Sequence, residues 1–416
     1  MEKPPQPIIV RDKRRWLMLG LTWSLYSSFG ISVGTIPPVV GPIINDLHIS
    51  YTQMGLILGS WQLVYIATAS PLGPLVDRLG IRRSLGIGMF IILLSMLLRG
   101  LAIDFYTLLF AVALFGIGGP IISIGAPKIV SLWFDSKERG TAAGIYTAGP
   151  VGGYALALAT AATTIMPITG TWRGVPLIFS VLIFLVMIAW FIFAKEKPYN
   201  PNLEPTQKSS TSISTSKVLM DMLRIRNVQL MLILAPVTFM INHGMSSWLP
   251  TLLQERNMSL SEAGTWTAIA TAASILSLLV IPRIIGAGYR AISIGLLLLM
   301  TAISTPLLIF TTGNILIIAL LVSTIVRSPF MPMLTLILME TPGIGYRHIG
   351  AATGIFFAAA EIGGFGGPFV MGLLRDITNS LNLGVLLITS LTIITLFVIP
   401  LFKEESRKLN LNSVKS

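Results

Sequence analysis

Cysteine is absent from all 416 residues, which rules out a disulfide framework, thiol chemistry and any cysteine-based metal site. Histidine is nearly absent as well. His48, His243 and His348 stand far apart, so no pair has the spacing of a metal-ligand cluster. No Gly-Lys-Ser/Thr phosphate loop occurs, and nothing else in the chain points to an enzyme or to a nucleotide as the source of energy. No cofactor is expected. Charge is scarce too, at 11% of residues against 53% hydrophobic, a balance outside the range of soluble domains of this length.

The chain offers long apolar runs instead. They fall at about 16–41, 53–76, 84–103, 105–130, 140–165, 174–194, 228–250, 262–286, 291–311, 314–340, 349–373 and 383–402. Each is long enough at about 1.5 Å per residue to cross a bilayer core as a helix. The runs are continuously apolar, whereas barrel strands alternate in segments of about ten residues. The expected fold is an all-α membrane protein with twelve transmembrane helices, numbered here as spans 1 to 12. Lysine and arginine set its orientation. With the N-terminus inside, 24 of the 29 fall on cytoplasmic segments, four (Arg99, Arg173, Arg256 and Arg375) fall on outer ends, and Arg327 lies within a span. Both termini are therefore expected in the cytoplasm of a multi-pass plasma-membrane protein. The formal charge of +12 follows from this asymmetry and from contact with anionic lipid, without nucleic acid as a partner. The basic first fifteen residues lead into a full span without a small-residue cleavage pattern, and read as a tail.

Between spans 2 and 3 the polar residues are Gly73-Pro-Leu-Val-Asp77-Arg78-Leu-Gly80-Ile-Arg82-Arg83, read as a short charged turn. Glycines permit close backbone approach, Asp77 suits a helix N-terminus or a basic partner, and the arginines hold the turn inside. This stretch resembles the loop 2-3 signature of the major facilitator superfamily, Gly-x-Leu-x-Asp-Arg-x-Gly-Arg-Lys-x-x-Leu. Gly73, Leu75, Asp77, Arg78, Gly80, Arg82 and Leu85 match, and Ile81 replaces the first basic residue. The resemblance implies two six-helix pseudo-repeated bundles, a secondary carrier without enzymatic activity, and a gating role for Gly73, Asp77, Arg78, Gly80 and Arg82. A monomer is expected.

The polar run from Lys195 through Ser209-Ser-Thr-Ser-Ile-Ser-Thr-Ser216 cannot bury itself and reads as a mobile linker. It divides the chain into 1–194, the linker 195–227 and 228–416. Val218, Leu219, Met222 and Leu223, with Asp221 and Arg224 opposite, read as a short helix on the membrane surface. The halves echo each other. A shift of 208 places Pro74, Gly80 and Arg82 on Pro282, Gly288 and Arg290; a shift of 210 places Gly140, Ala142, Gly144 and Ile145 on Gly350, Ala352, Gly354 and Ile355. Ile285 stands where the second copy of Asp77 would be.

Glycines cluster at Gly116, Gly118, Gly119, Gly149, Gly152 and Gly153, and again at Gly363, Gly364, Gly366 and Gly367. Such spacing favours close helix crossings. The Pro127, Trp133-Phe134, Arg139-Gly140 and Ala143-Gly144 pattern is similar to that of small-anion carriers in the superfamily, including cyanate, nitrate, monocarboxylate and oxalate porters, and makes Arg139 a further gating candidate. Departures are visible: Val112 stands where proton-coupled families often carry arginine, and only Val151 separates Gly149-Pro150 from Gly152-Gly153.

Arg327 and Glu361 lie about midway along spans 10 and 11. An arginine at that depth costs about 2.5–3.5 kcal/mol on insertion scales, so it faces protein, a partner or a watery cavity. Pro329 and Pro332 remove two donors and free the carbonyls of Ile325 and Ser328, which kinks span 10. The resemblance places span 10 on the central cavity. Arg327 then reads as the fixed charge for a small anion, its fork suited to a carboxylate. The rival reading is a permanent Arg327–Glu361 ion pair, and a third has Glu361 linking transport to protons. Asn242 and His243 in span 7 are hydrogen-bonding candidates. Tyr26, Tyr146, Tyr154, Trp248 and Trp266 are candidate cavity walls, and Lys128 is expected to snorkel. The sequence points to a carrier of a small organic or inorganic anion by alternating access. The alternatives are an exporter of drugs or cations, with Glu361 as the binding charge, and a non-transporting receptor.

Overall fold

The computed structural model describes residues 14–196, 220, 222–286, 288–341 and 344–402. All regular structure among them is helical. Span 1 is Arg14–Gly34, span 2 Tyr51–Leu79, span 3 Ile81–Gly100, span 4 Phe105–Trp133, span 5 Ser136–Thr160 and span 6 Gly174–Phe193. Span 7 is Arg226–Glu255, span 8 Leu260–Ile284, span 9 Arg290–Phe310 and span 11 Gly345–Thr378. Span 10 comprises Gly313–Arg327 and Phe330–Glu340, and span 12 is Asn382–Leu396. Eleven described helices are long and apolar enough to cross a membrane, and the twelfth crossing is the bent pair Tyr51–Ala69 and Pro71–Leu79, at 66°. Pro71 and Pro74 in that helix lack the N–H groups that would bond back across the bend.

Two expectations about helix ends change. The first apolar run, expected to continue to residue 41, stops at Gly34, and a separate short helix, Val40–Leu47, follows. Pro37 and Pro38 open the turn between them; without amide hydrogens they cannot continue the helix. The expected charged turn of loop 2-3 is a single residue. Helix runs through Asp77 and Arg78 to Leu79, and Gly80 alone reverses the chain with φ of +80°. Its repeat counterpart Gly288 adopts φ of +89°, a region that favours glycine, so the internal echo extends to backbone conformation.

Span 1 packs on span 5 and span 2 on span 4, while span 7 packs on span 11 and spans 8 and 9 on span 10. Spans 2 and 11, and spans 5 and 8, join the two six-helix groups. Glycine permits these contacts. A Cβ on Gly153 would meet the carbonyl of Ser27, and one on Gly363 the carbonyl of Pro236. Gly73 and Gly140 have no such role: nothing lies within 4 Å of a Cβ at either. Span 6 lies at the edge, with Val181, Leu185 and Ile192 exposed, as suits a lipid-facing helix.

The linker expectation falls mostly on residues 197–219, and those of Val218, Leu219 and Asp221 also lie outside the described residues. Met222 is buried in the apolar core of the second helix group, where a surface helix was expected.

Candidate functional site

A cavity lies where the two groups meet. It is lined by Ser32 and Ile36 near the end of span 1, Trp61 and Gln62 of span 2, Arg99 of span 3, Tyr154 of span 5, and His243, Ser246 and Ser247 of span 7. Its empty volume is about 390 Å³, a figure that includes the open solvent at its mouth.

Arg327 is 2% exposed and closes the first helix of span 10. Its Nε donates to the Ser323 carbonyl at 2.8 Å and its Nη1 to the Ile241 carbonyl at 3.4 Å. Ile241 lies two residues before His243, which lines the cavity. The break after Arg327 has the expected cause, and one freed carbonyl is accounted for: Ser277 Oγ of span 8 donates to Ile325 O at 2.8 Å. Span 10 therefore bends without an orphaned acceptor at that position.

The Arg327–Glu361 ion pair does not form. Neither residue has a salt bridge among the described residues, and Arg327 spends its bonds on helix carbonyls. Glu361 is 6% exposed, with Oε2 buried and without a partner. It sits beside Gly364, where a Cβ would lie 2.6 Å from Glu361 Oε2, 3.3 Å from Gln62 Cγ and 3.4 Å from His243 Cδ2. Gln62 Nε2 lies 3.3 Å from His243 Nδ1 and donates to the Gly364 carbonyl at 3.4 Å. Glu361, Gln62 and His243 thus form one polar cluster around span 11's glycines. Asn242 is half-buried on the preceding turn position.

The aromatic candidates divide. Tyr26 and Tyr146 face each other with ring centroids 5.8 Å apart. Tyr154 donates to the Ser246 carbonyl at 2.7 Å, joining span 5 to span 7. Trp248 is fully buried and donates to the Pro368 carbonyl at 2.8 Å, a structural bond. Trp266 packs half-buried against the core.

The gating candidates assemble on the face that carries the chain termini, largely within the first helix group. Asp77 pairs with Lys128 of span 4, so Lys128 meets a partner where snorkelling was expected. Arg82 donates to the Phe191 carbonyl at 2.5 Å and accepts from Trp190 Nε1 through its own carbonyl at 2.9 Å. Arg139 caps the end of span 4, donating to Phe134 O at 3.0 Å and Ser131 O at 2.8 Å. Arg78 is exposed.

Three residues escaped the sequence reading. Arg99, expected at an outer end, is buried at 2% exposure on the cavity; its position in the last turn of span 3 resembles an ordinary topology marker. Gln62 carries no charge and stood out by nothing but its polarity within span 2. Asp376, near the end of span 11, reaches the opposite helix group: it accepts from Tyr51 N at 3.0 Å, Thr52 N at 2.7 Å and Thr52 Oγ1 at 2.6 Å. Beside it Arg375 lies 3.9 Å over the Tyr51 ring and pairs with Glu255 at 3.3 Å. These contacts fasten spans 2 and 11 on the face away from the termini.

Twelve spans in two groups, with a cavity of mixed polar and apolar lining between them, suit comparison with membrane carriers. The sequence model of the Major Facilitator Superfamily matches residues 22–368. The chain belongs to that superfamily. It is 25% identical to the hexuronate transporter of Bacillus subtilis (strain 168) over 361 residues, covering 83% of this chain and 84% of the relative. It is 24% identical to the probable nitrate/nitrite transporter NarK2 of Mycobacterium tuberculosis over 377 residues, covering 86% and 89%. A shorter match, 30% over 155 residues, reaches 37% of this chain and 34% of the probable L-galactonate transporter of Escherichia coli (strain K12). Among solved structures, an inward-facing bacterial homologue of the human lysosomal transporter Spinster superposes with a TM-score of 0.78 at 16% identity, covering 93% of this chain and 96% of that one. The superfamily member described here is a transporter and not an enzyme.

Proposed function

We propose that this chain is a secondary carrier that moves a small organic or inorganic anion by alternating access, with Arg327 as the principal binding charge. The observation that carries this reading is a buried guanidinium, bonded to the Ile241 carbonyl of the cavity-lining span 7, with no carboxylate to neutralise it among the described residues. A buried cation without a counter-ion is costly, and an anionic substrate removes that cost while it is bound. Relatives with substrates as different as hexuronate and nitrate share negative charge as their common feature. The fastening of spans 2 and 11 away from the termini supports a state closed on that face, and the 24-to-four distribution of basic residues supports termini in the cytoplasm. Residues 195–227 join the two bundles, the carrier works as a monomer, and Glu361 with His243 is the place where protons would enter the cycle.

The alternative, export of cations bound by Glu361, draws support from its unpartnered Oε2. Thermal unfolding of the purified protein separates the readings. Wild type and Arg327→Ala are melted with glucuronate, galactonate, nitrate, cyanate, formate, lactate, oxalate and several lipophilic cations. A ligand at about a hundred times its dissociation constant adds about 2.7 kcal/mol. Stabilisation of wild type by an anion, lost in a folded Arg327→Ala, is the expected result. Stabilisation by cations alone, or an anion effect that survives the substitution, overturns the reading.

A further inference from the structure

The cavity wall carries a hydrogen-bond donor and a hydrogen-bond acceptor that the protein leaves unsatisfied. The donor is Arg99. It sits in the last turn of span 3, yet it is 2% exposed, and its Nη1 donates to the Ser32 carbonyl and to Thr35 Oγ1. The Ser32 carbonyl belongs to the last turn of span 1, whose final carbonyls lack a backbone partner within their own helix. That capping bond leaves Nε buried without a partner. Among the described residues no carboxylate pairs with the guanidinium.

The acceptor is Gln62 Oε1, buried in a side chain that is 1% exposed and likewise unpartnered. Its neighbours fix which way the amide points. Gln62 Nε2 lies 3.4 Å from the Gly364 carbonyl and 3.3 Å from His243 Nδ1; a carbonyl can only accept, so the amide nitrogen belongs on that side and the oxygen on the other. Glu361 Oε2, a second acceptor without a partner, lies beside Gln62 across Gly364. This end of the cavity is short of donors.

The two ends share one wall. Arg99 and Gln62 both line the cavity, together with Trp61 and His243. The Trp61 ring centroid lies 5.8 Å from that of His243 and 5.4 Å from that of Phe115, and the Phe115 ring lies 5.7 Å from the Arg99 guanidinium carbon. An aromatic surface therefore runs from the donor to the acceptor. It suits the carbon skeleton of a small molecule held by polar groups at its ends.

We propose that the cargo is a hydroxycarboxylate, with its carboxylate on Arg99 and a hydroxyl donating to Gln62 Oε1. This rests on the anion-carrier reading, to which it adds a charged contact and a residue that selects among anions. Nitrate or a plain carboxylate presents acceptors alone, so it can meet Arg99 but leaves the buried oxygen of Gln62 unpaired. A hydroxyl supplies the missing hydrogen.

The test measures affinities of the full chain in detergent for three pairs that differ by hydroxylation, glycolate with acetate, lactate with propionate and galactonate with hexanoate, alongside nitrate. Wild type is expected to bind the hydroxylated member of at least one pair about tenfold or more tightly, since an analogue without the hydroxyl leaves a buried polar group unpaired. In Gln62→Leu the ratio within that pair is expected to fall below about threefold. Arg99→Gln is expected to weaken both members about tenfold or more and to keep the ratio, because the hydroxyl contact survives. A Gln62 that only supported the fold would lower both members together, so an unchanged ratio in Gln62→Leu overturns the proposal. Undiminished binding of both members by Arg99→Gln overturns it too. So does a wild type that binds nitrate or the plain acids as tightly as the hydroxylated ones, which decides the matter even where the variants fail to fold. Binding of no anion overturns the anion-carrier reading itself.

Discussion

Replacing Asp376 by asparagine should release the contact between spans 2 and 11 on the face away from the termini. Asp376 accepts three hydrogen bonds there, two from backbone N–H groups at the start of span 2 and one from Thr52 Oγ1. The unpaired N–H groups of that first turn form the positive end of the helix dipole. Hydrogen bonds to an ionised acceptor contribute about 1.5–3 kcal/mol when shielded, and a carboxylate at an exposed helix N-terminus about 0.3–1 kcal/mol. Asp376 is half-buried, and asparagine keeps one acceptor oxygen, so a loss of about 1–2 kcal/mol from the closed state is expected. That changes the ratio of closed to open molecules about five- to thirtyfold. The absence of native cysteine makes the assay direct. Ser247→Cys places a single thiol on the cavity wall, and a membrane-impermeant maleimide is added to the face away from the termini. Its labelling rate should rise by that factor in Asp376→Asn. An unchanged rate in a protein that melts normally would mean that Asp376 caps span 2 without holding the face shut.

Two further predictions concern packing and pH. Gly153→Ala drives a methyl group against the Ser27 carbonyl and should cost about 1–3 kcal/mol, as overpacking does; Gly354→Ala, with nothing within 4 Å, should leave the melting temperature unchanged or higher, and equal effects would refute the packing account. Asp104 caps span 4, and hydrogen bonds from the Thr107 backbone and side chain hold its carboxyl below the usual range. A depressed folded-state pKa stabilises above the unfolded value of about 3.9 and loses that contribution as pH falls through the folded value. The stability difference between wild type and Asp104→Ala should therefore be constant above about pH 5 and shrink toward acid; a difference that grows toward acid would contradict it.

The spans were legible because a bilayer demands continuous apolar helices, a requirement written in every window of the chain. The break after Arg327 was legible from Pro329, since a missing N–H acts locally. Side-chain partners were not. Arg327 and Glu361 occupy similar depths on neighbouring spans, and depth suggested a pair; helix rotation instead turns Arg327 to the Ile241 carbonyl and Glu361 to the Gln62–His243 cluster. Arg99 was hidden for a related reason. A basic residue in the last turn of a span reads as a topology marker, and only the ending of span 1 at Gly34 brings the Ser32 carbonyl within its reach. Asp376 lies 324 residues from Thr52 in the chain, and no periodicity within either span encodes that contact.

The most direct measurement of the central claim is flux in proteoliposomes. The anion that most stabilises the purified protein is supplied as a radiolabel, with wild type and Arg327→Ala reconstituted at equal density. Saturable uptake or exchange by wild type, reduced to background by an Arg327→Ala protein that melts like wild type, is the predicted result. Anion flux that survives the substitution, or flux of lipophilic cations without any of anions, would contradict it.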